Sequence, residues 1–342
     1  MNKIGLLTGG GDCPGINAVI RAVVRTALQK KYTVTGLLNG WKGLIDKEHV
    51  ELDLNSVSAI VNKGGTILVT SRTNPYKIEG AVEKCKKNFN SLGLEALIAI
   101  GGEDTLGVAA KLYKEGLNIV GVPKTIDNDL SATDYTFGFD TAVNIATEAI
   151  DRLHTTAESH HRIMVVEIMG RHAGWITIHA GIAGGADIIL IPEVPIDIDE
   201  VVNILKDIRK RGKNYAIVAV AEGATFNDKS AVIQKDKLDA FGHVRLGGIG
   251  QLLADKIEEI TGFETRVTVL GHLQRGGTPT AADRVLGTRF GVAAVRLVDE
   301  KKFGRMVSLS GNEIVDVPIE KAVGKLKKVD KNFYNMARIF FG

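Results

Sequence analysis

A chain of 342 residues that is 44% apolar and 24% charged has the make-up of an ordinary globular protein, which excludes a collagen, a coiled coil or a disordered tail. Its 43 basic and 40 acidic residues leave a formal charge of +3, too small a field to hold nucleic acid or an anionic membrane, so an anionic partner must be met locally. Two cysteines, Cys13 and Cys85, build no disulfide framework, no stretch nears ~18 uninterrupted apolar residues, and the opening MNKIGLLTGGGDCPG meets glycines where a signal peptide is apolar; a cytoplasmic protein is expected.

In chain order, short β-branched runs predict strands at residues 4–7, 33–38, 96–100, 119–122, 163–168, 188–191, 216–220, 265–270 and 306–309. Helical periods lie between them. After the first strand, Ala18, Val19, Ala22, Val23 and Leu28 form an apolar stripe, with Arg21, Arg25 and Lys30 off it. Near-continuous apolar strands bounded by glycine belong to parallel sheets covered on both faces, so the fold class is doubly wound α/β, with ligands at the carboxyl ends of strands. At roughly 100–200 residues per domain the length predicts two domains, yet no repeat or Pro/Ser-rich linker marks a boundary. The basic stretches 206–213 and 321–331 are spaced like solvated helix faces.

Glycine makes up 39 of the 342 residues, above the usual ~7%, and it clusters where predicted strands end. The turn 8–17, TGGGDCPGIN, lies between a strand and a helix, where bare backbone N–H groups and a helix N-terminus suit a phosphate; a plain tight turn is the alternative. A second glycine turn, 100–105, adds Glu103 and Asp104 in front of Thr105. Either carboxylate is a candidate for Mg2+, although an acidic first turn also complements a helix dipole. The loop 121–129 then crowds Lys124, Asp127 and Asp129 together: a candidate general base, a second carboxylate, and a cation for developing phosphate charge. Further strand ends carry Met169-Gly170-Arg171, Glu222 and a run from His272 to Arg275. Arginines suit bidentate phosphate binding and a glutamate suits sugar hydroxyls, so a phosphorylated sugar satisfies the set and the chemistry is phosphoryl transfer.

The segments TGGGDCPGINAVIR, GGEDT, PKTIDND, MGRHAGW, AEGA and ETRVTVLGHLQRGG, in this order, closely resemble the phosphofructokinase family over nearly the whole chain. The resemblance implies two similar three-layer α/β lobes. Residues 1–138 with about 274–310 would bind the donor phosphates, and 139–273 with about 311–342 would bind fructose 6-phosphate. It implies that Asp127 takes the proton of the sugar 1-hydroxyl, accompanied by Thr125 and Asp129, and that Arg171 stabilises the transferring phosphoryl group. Gly11, Arg72 and Thr105 resemble donor contacts. Met169, Gly170, Glu222, His272 and Arg275 resemble sugar-phosphate contacts, and Arg162 and Arg266 resemble the pair that reaches the 6-phosphate from a neighbouring subunit. A homo-oligomer, dimer or tetramer, with subunit-shared sites follows. Glu103 stands where the family usually has its Mg2+-associated aspartate; the added methylene leaves direct and water-mediated contact both open.

The family uses ATP or pyrophosphate, and its ATP enzymes commonly have glycine where this chain has Asp104 and Lys124. A carboxylate adds bulk and charge where a nucleotide's α-phosphate would pass, and a lysine supplies a cation to a pyrophosphate leaving group. Pyrophosphate is therefore the expected donor and ATP the alternative, with Asp104 the stronger discriminator. The reaction would run both ways and serve glycolysis and gluconeogenesis. Arg21, Arg25 and Arg211 match part of the arginine ring that binds nucleotide effectors in bacterial ATP enzymes, Leu54 and His154 replace two others, and Asp187 is held, so weak or no ADP activation is expected. Two other classes are disfavoured: a nicotinamide dehydrogenase lacks its GxGxxG here, and a non-enzymatic sugar-binding protein does not need Asp127 beside Lys124.

Overall fold

All nine expected strands form, and two more complete the sheets. The computed structural model describes residues 2–227 and 247–342. The elements run β1 (Lys3–Thr8), α1 (Ile16–Gln29), β2 (Thr33–Leu37), α2 (Trp41–Asp46), β3 (His49–Leu52), α3 (Ala81–Ser91), β4 (Leu94–Gly101), α4 (Glu103–Lys114) and β5 (Ile119–Pro123). They continue with α5 (Phe139–His160), β6 (Ile163–Ile168), α6 (Trp175–Ala183), β7 (Ile188–Leu190), α7 (Ile198–Lys210), β8 (Ala216–Ala221), α8 (Ile249–Thr261), β9 (Thr265–Val269), α9 (Ala281–Asp299), β10 (Arg305–Ser310), β11 (Glu313–Pro318) and α10 (Lys331–Arg338).

The chain divides into two units, the first comprising Met1–Ile126, Leu130–Thr141 and Arg275–Leu326, the second Asp127–Asp129, Ala142–Gln274 and Lys327–Gly342. The stretch 311–326, expected with the second lobe, belongs to the first. Its strand β11 pairs antiparallel with β10 from Arg305↔Pro318 to Ser310↔Glu313, so the last crossover follows Leu326.

The first unit holds a seven-stranded sheet in the order β11-β10-β5-β4-β1-β2-β3, parallel except at its two antiparallel edges. Strand order reverses at β1 and β4. The loops that follow these two strands therefore diverge and leave a crevice at their carboxyl ends, where such sheets bind ligands. Helix α1 buries Ala18, Val19, Ala22, Val23 and Ala27, with Leu28 only half-buried. It lies close against α9 because Gly287 and Gly291 are bare there: a Cβ on Gly291 would stand 2.7 Å from the Val19 carbonyl.

The second unit holds four parallel strands in the order β7-β8-β6-β9. Val165, Val218 and Val220 face Leu205, Leu253 and Ile257 of α7 and α8 in one buried cluster. The basic stretch 321–331 is not a helix face. Most of it is irregular chain, and Lys327 is half-buried with its backbone and amine hydrogen-bonded, as described below.

Candidate active site

In the first unit the predicted motifs meet because β5, β4 and β1 are neighbours, with Thr8 beside Ile100 and Gly101 beside Pro123. The loop after β1 is fixed by Gly9 N–H donating to the Ile100 carbonyl at 2.9 Å and Gly10 N–H donating to that of Ser71 at 3.1 Å. Gly10 and Gly15 take φ of 81° and 101°, left-handed backbone suited to glycine. Thr105, buried in the first turn of α4, packs against both glycine turns: a Cβ on Gly9 or Gly101 would come within 2.6 Å of its hydroxyl oxygen.

Two cations lie on this loop. The buried Lys124 donates from Nζ to the Gly11 carbonyl at 2.5 Å, and Arg275 donates from NH1 to the Asp12 carbonyl at 3.2 Å. A side chain on Gly11 would meet the Arg275 guanidinium at 2.6 Å, so glycine here lets a cation reach the backbone. Arg275, expected among the sugar contacts, thus has its guanidinium on the glycine loop. Glu103 and Asp104 open α4, where their charge complements the exposed N–H groups. One Glu103 oxygen accepts Gly324 N–H at 3.0 Å. Arg72 is exposed in the neighbouring loop, beside Ser71. Cys13 is no nucleophile: it is fully buried, and burial pushes its thiol up to about 12.

In the second unit β8, β6 and β9 are neighbours, so the turns after them converge. The Met169-Gly170-Arg171 turn is strained, with φ of 152° at Gly170 and 53° at Arg171. Three groups hold it. Glu222 Oε1 accepts the N–H groups of Gly170 at 3.3 Å and Arg171 at 3.0 Å. Gln274, fully buried, accepts Met169 N–H at 2.8 Å through Oε1, while its Nε2 has no hydrogen-bond partner among the described residues. Gly223 lies so close that a Cβ would fall 1.8 Å from the Arg171 carbonyl oxygen. Burial raises the Glu222 carboxyl above its ordinary value and the Asp127 carboxylate adds to this, against the two N–H donors. Asp127 and Asn128 are buried, Asp129 is half-buried, and Thr125, two residues before Asp127 and in the first unit, accepts the Thr136 hydroxyl at its carbonyl at 2.8 Å. His272 is exposed in the short turn Gly271–Arg275.

Arg162 and Arg266 are not part of this cluster. They stand at the amino ends of β6 and β9 and share the Glu264 carboxylate, Arg162 at 2.8 Å. Seven steps along extended chain lead from Arg162 to Met169, roughly 23 Å at ~3.3 Å per residue.

Sequence reasoning missed Gln274 and Lys327. Gln274 lay inside the quoted run GHLQRGG, where a polar residue between Leu273 and Arg275 was the available signal; Lys327 had none, being one lysine of a basic run.

No helix among the described residues is long and apolar enough to cross a membrane. The family model for Phosphofructokinase matches residues 3–298. A pyrophosphate–fructose 6-phosphate 1-phosphotransferase of Streptomyces coelicolor is 58% identical over 342 residues, 99% of this chain and 100% of that protein. An ATP-dependent 6-phosphofructokinase of Corynebacterium efficiens is 50% identical over 99% of both chains. The crystal structure of a pyrophosphate-dependent phosphofructokinase from Nitrosospira multiformis superposes with a TM-score of 0.85 at 20% identity, over 100% of this chain and 91% of that one, a likeness of fold. With its motifs on adjacent strand ends, two mainly parallel sheets and a full-length match to such relatives, this chain belongs to the phosphofructokinase family.

Proposed function

We propose that the chain transfers a phosphoryl group from pyrophosphate to the 1-hydroxyl of fructose 6-phosphate, giving fructose 1,6-bisphosphate and phosphate. The observation that carries the donor assignment is the 58% identity, over full length, to a pyrophosphate enzyme, against 50% to an ATP enzyme. Lys124 on the Gly11 carbonyl gives it a physical form. A buried ammonium on a glycine loop offsets charge on a small diphosphate without help from a nucleotide.

In this reading Asp127 accepts the proton of the 1-hydroxyl as its oxygen attacks the terminal phosphorus, and the bond to the leaving phosphate breaks. Arg171 offsets charge on the transferring group; Lys124, Arg72 and the Gly11 and Thr105 turns hold the donor. Met169, Gly170, Glu222 and His272 orient the sugar, Thr125 and Asp129 flank the base, and Arg275, with its guanidinium on the glycine loop, also serves the donor side. Mg2+ fits the residues present. Such an ion keeps waters and takes one or two carboxylates plus substrate oxygens, and Glu103 and Asp104 stand together in the first turn of α4. Glu103, with one oxygen on Gly324 N–H, would hold it, and the ion would neutralise diphosphate charge.

The separation of Arg162 and Arg266 from the Met169–Arg171 turn supports a homo-oligomer in which these arginines serve a neighbour's sugar 6-phosphate. A small sugar phosphate does not span roughly 23 Å of strand.

The test is initial rate with fructose 6-phosphate and Mg2+, offering pyrophosphate or ATP, for the parent chain and for Asp104→Gly with Lys124→Gly. The parent uses pyrophosphate at least about a hundredfold better, and the double variant gains ATP use while losing pyrophosphate activity. Equal use of both donors by the parent overturns the donor reading; an unchanged preference in the variant overturns the role of these two residues.

A further inference from the structure

We propose that Lys327 is a positioning residue for the base: it clamps the strained Asn128 next to Asp127 and is itself held by Trp175. This rests on the reading of Asp127 as proton acceptor. Asn128 takes φ of 51°, a left-handed conformation that asparagine tolerates better than most residues but that surrounding contacts must hold. It is buried directly after the base.

The contacts come from a residue 199 positions later. Lys327 Nζ donates to Asn128 Oδ1 at 2.9 Å, and Lys327 N–H donates to the Asp129 carbonyl at 2.8 Å. The Lys327 carbonyl accepts the Trp175 indole N–H at 2.8 Å, and the ammonium stands 5.6 Å from the centre of the indole ring. Two residues on, Val329 N–H donates to Glu193 at 3.0 Å, and the same carboxylate accepts Gly174 N–H at 3.0 Å. Trp175 opens α6, four residues after Arg171. One short segment therefore ties the base loop to the start of the helix that follows the Arg171 turn, all within the second unit. Lys327 lies beyond the residues 3–298 that the family model covers.

A general base acts only within hydrogen-bond reach of its proton, and a displacement near 1 Å can cost about a hundredfold in rate. The clamp bears on where Asp127 stands and leaves the sugar contacts of Glu222 and His272 alone. Its loss should lower kcat with little change in KM.

The experiment uses full-length protein carrying Lys327→Met, Lys327→Arg, Asn128→Ala, the Met/Ala double variant, Trp175→Phe and Asp127→Ala. It reads kcat, KM for fructose 6-phosphate and pyrophosphate, and the melting midpoint. We expect Lys327→Met to lose about ten- to a hundredfold in kcat with both KM values within about twofold, and Lys327→Arg to recover most of the loss. The double variant should be no worse than the poorer single one, because both remove the same bond. Trp175→Phe, which drops only the indole donor, shows the same pattern more weakly and serves if Lys327→Met does not fold. A folded Lys327→Met with kcat within about twofold of the parent, a loss carried by KM, or additive losses in the double variant overturns the clamp while Asp127→Ala stays inactive. If Asp127→Ala itself turns over, the base assignment falls and the clamp falls with it.

Discussion

The Gln274 carboxamide oxygen accepts the Met169 amide N–H at 2.8 Å, tying the turn after β9 to the strained turn that carries Arg171. Glu222 holds the next two N–H groups of that turn, so three successive donors end on two side chains. The Arg171 backbone is thereby held by side chains from the ends of two neighbouring strands.

Gln274→Met keeps the volume and removes the acceptor. The orphaned Met169 N–H costs about 1–3 kcal/mol of stability, and kcat falls about tenfold or more as Arg171 loses its aim. Urea unfolding and steady-state rates at saturating substrates measure the two effects separately; a stability loss with unchanged kcat would make Gln274 a packing residue only.

Arg162→Ser and Asp127→Ala should each be nearly inactive alone. If Arg162 serves the neighbouring copy, mixing and reassociating the two variants restores about a quarter of parental activity, since half the random dimers are hybrids and each hybrid has one intact site. Rates measured before and after reassociation decide it. No recovery means that each chain uses its own arginines.

Asp283, buried at the start of α9, accepts the Thr141 N–H at 2.8 Å and the Thr141 hydroxyl at 2.5 Å, yet burial still raises its carboxyl above the ordinary value. An acid raised on folding adds stability while protonated, and that contribution is complete below its unfolded value and lost as pH rises through the folded one. At neutral pH its charge is a cost. Asp283→Asn, which keeps an acceptor and drops the charge, should raise the melting midpoint by about 2–4 °C at pH 8, with the gain shrinking as pH falls toward the ordinary carboxylate range. A variant less stable than the parent at pH 8 would show that the Thr141 bonds need the carboxylate.

Most of the nine parallel-sheet strands were legible because burial on both faces makes them short apolar runs; β9, an edge strand with only Thr265 buried, was legible from its β-branched residues, and the glycine turns because they punctuate strand ends. Strands β3 and β11 were missed for the converse reason. At sheet edges His49, Val50 and Glu51 are exposed, and Glu313–Pro318 mixes charge with Ile314, Val315 and Val317. The motif residues were found singly, but which of them share a contact depends on strand order. Arg275, for one, reaches the glycine loop across 263 positions. Gln274 and Lys327 act across 105 and 199 positions, a separation that no local spacing encodes.

The two antiparallel edges of the seven-stranded sheet have a bearing on colloidal behaviour. An open sheet ends in rows of unsatisfied backbone groups, which recruit strands from other molecules. Here one border is four residues long and carries Glu51 paired to Lys3, and the other ends at Pro318 with Asp316 paired to Arg305 at 2.6 Å. Brevity, charge and a proline guard both borders of this sheet against intermolecular strand addition, so fibril growth should not start from it for as long as the first unit stays folded.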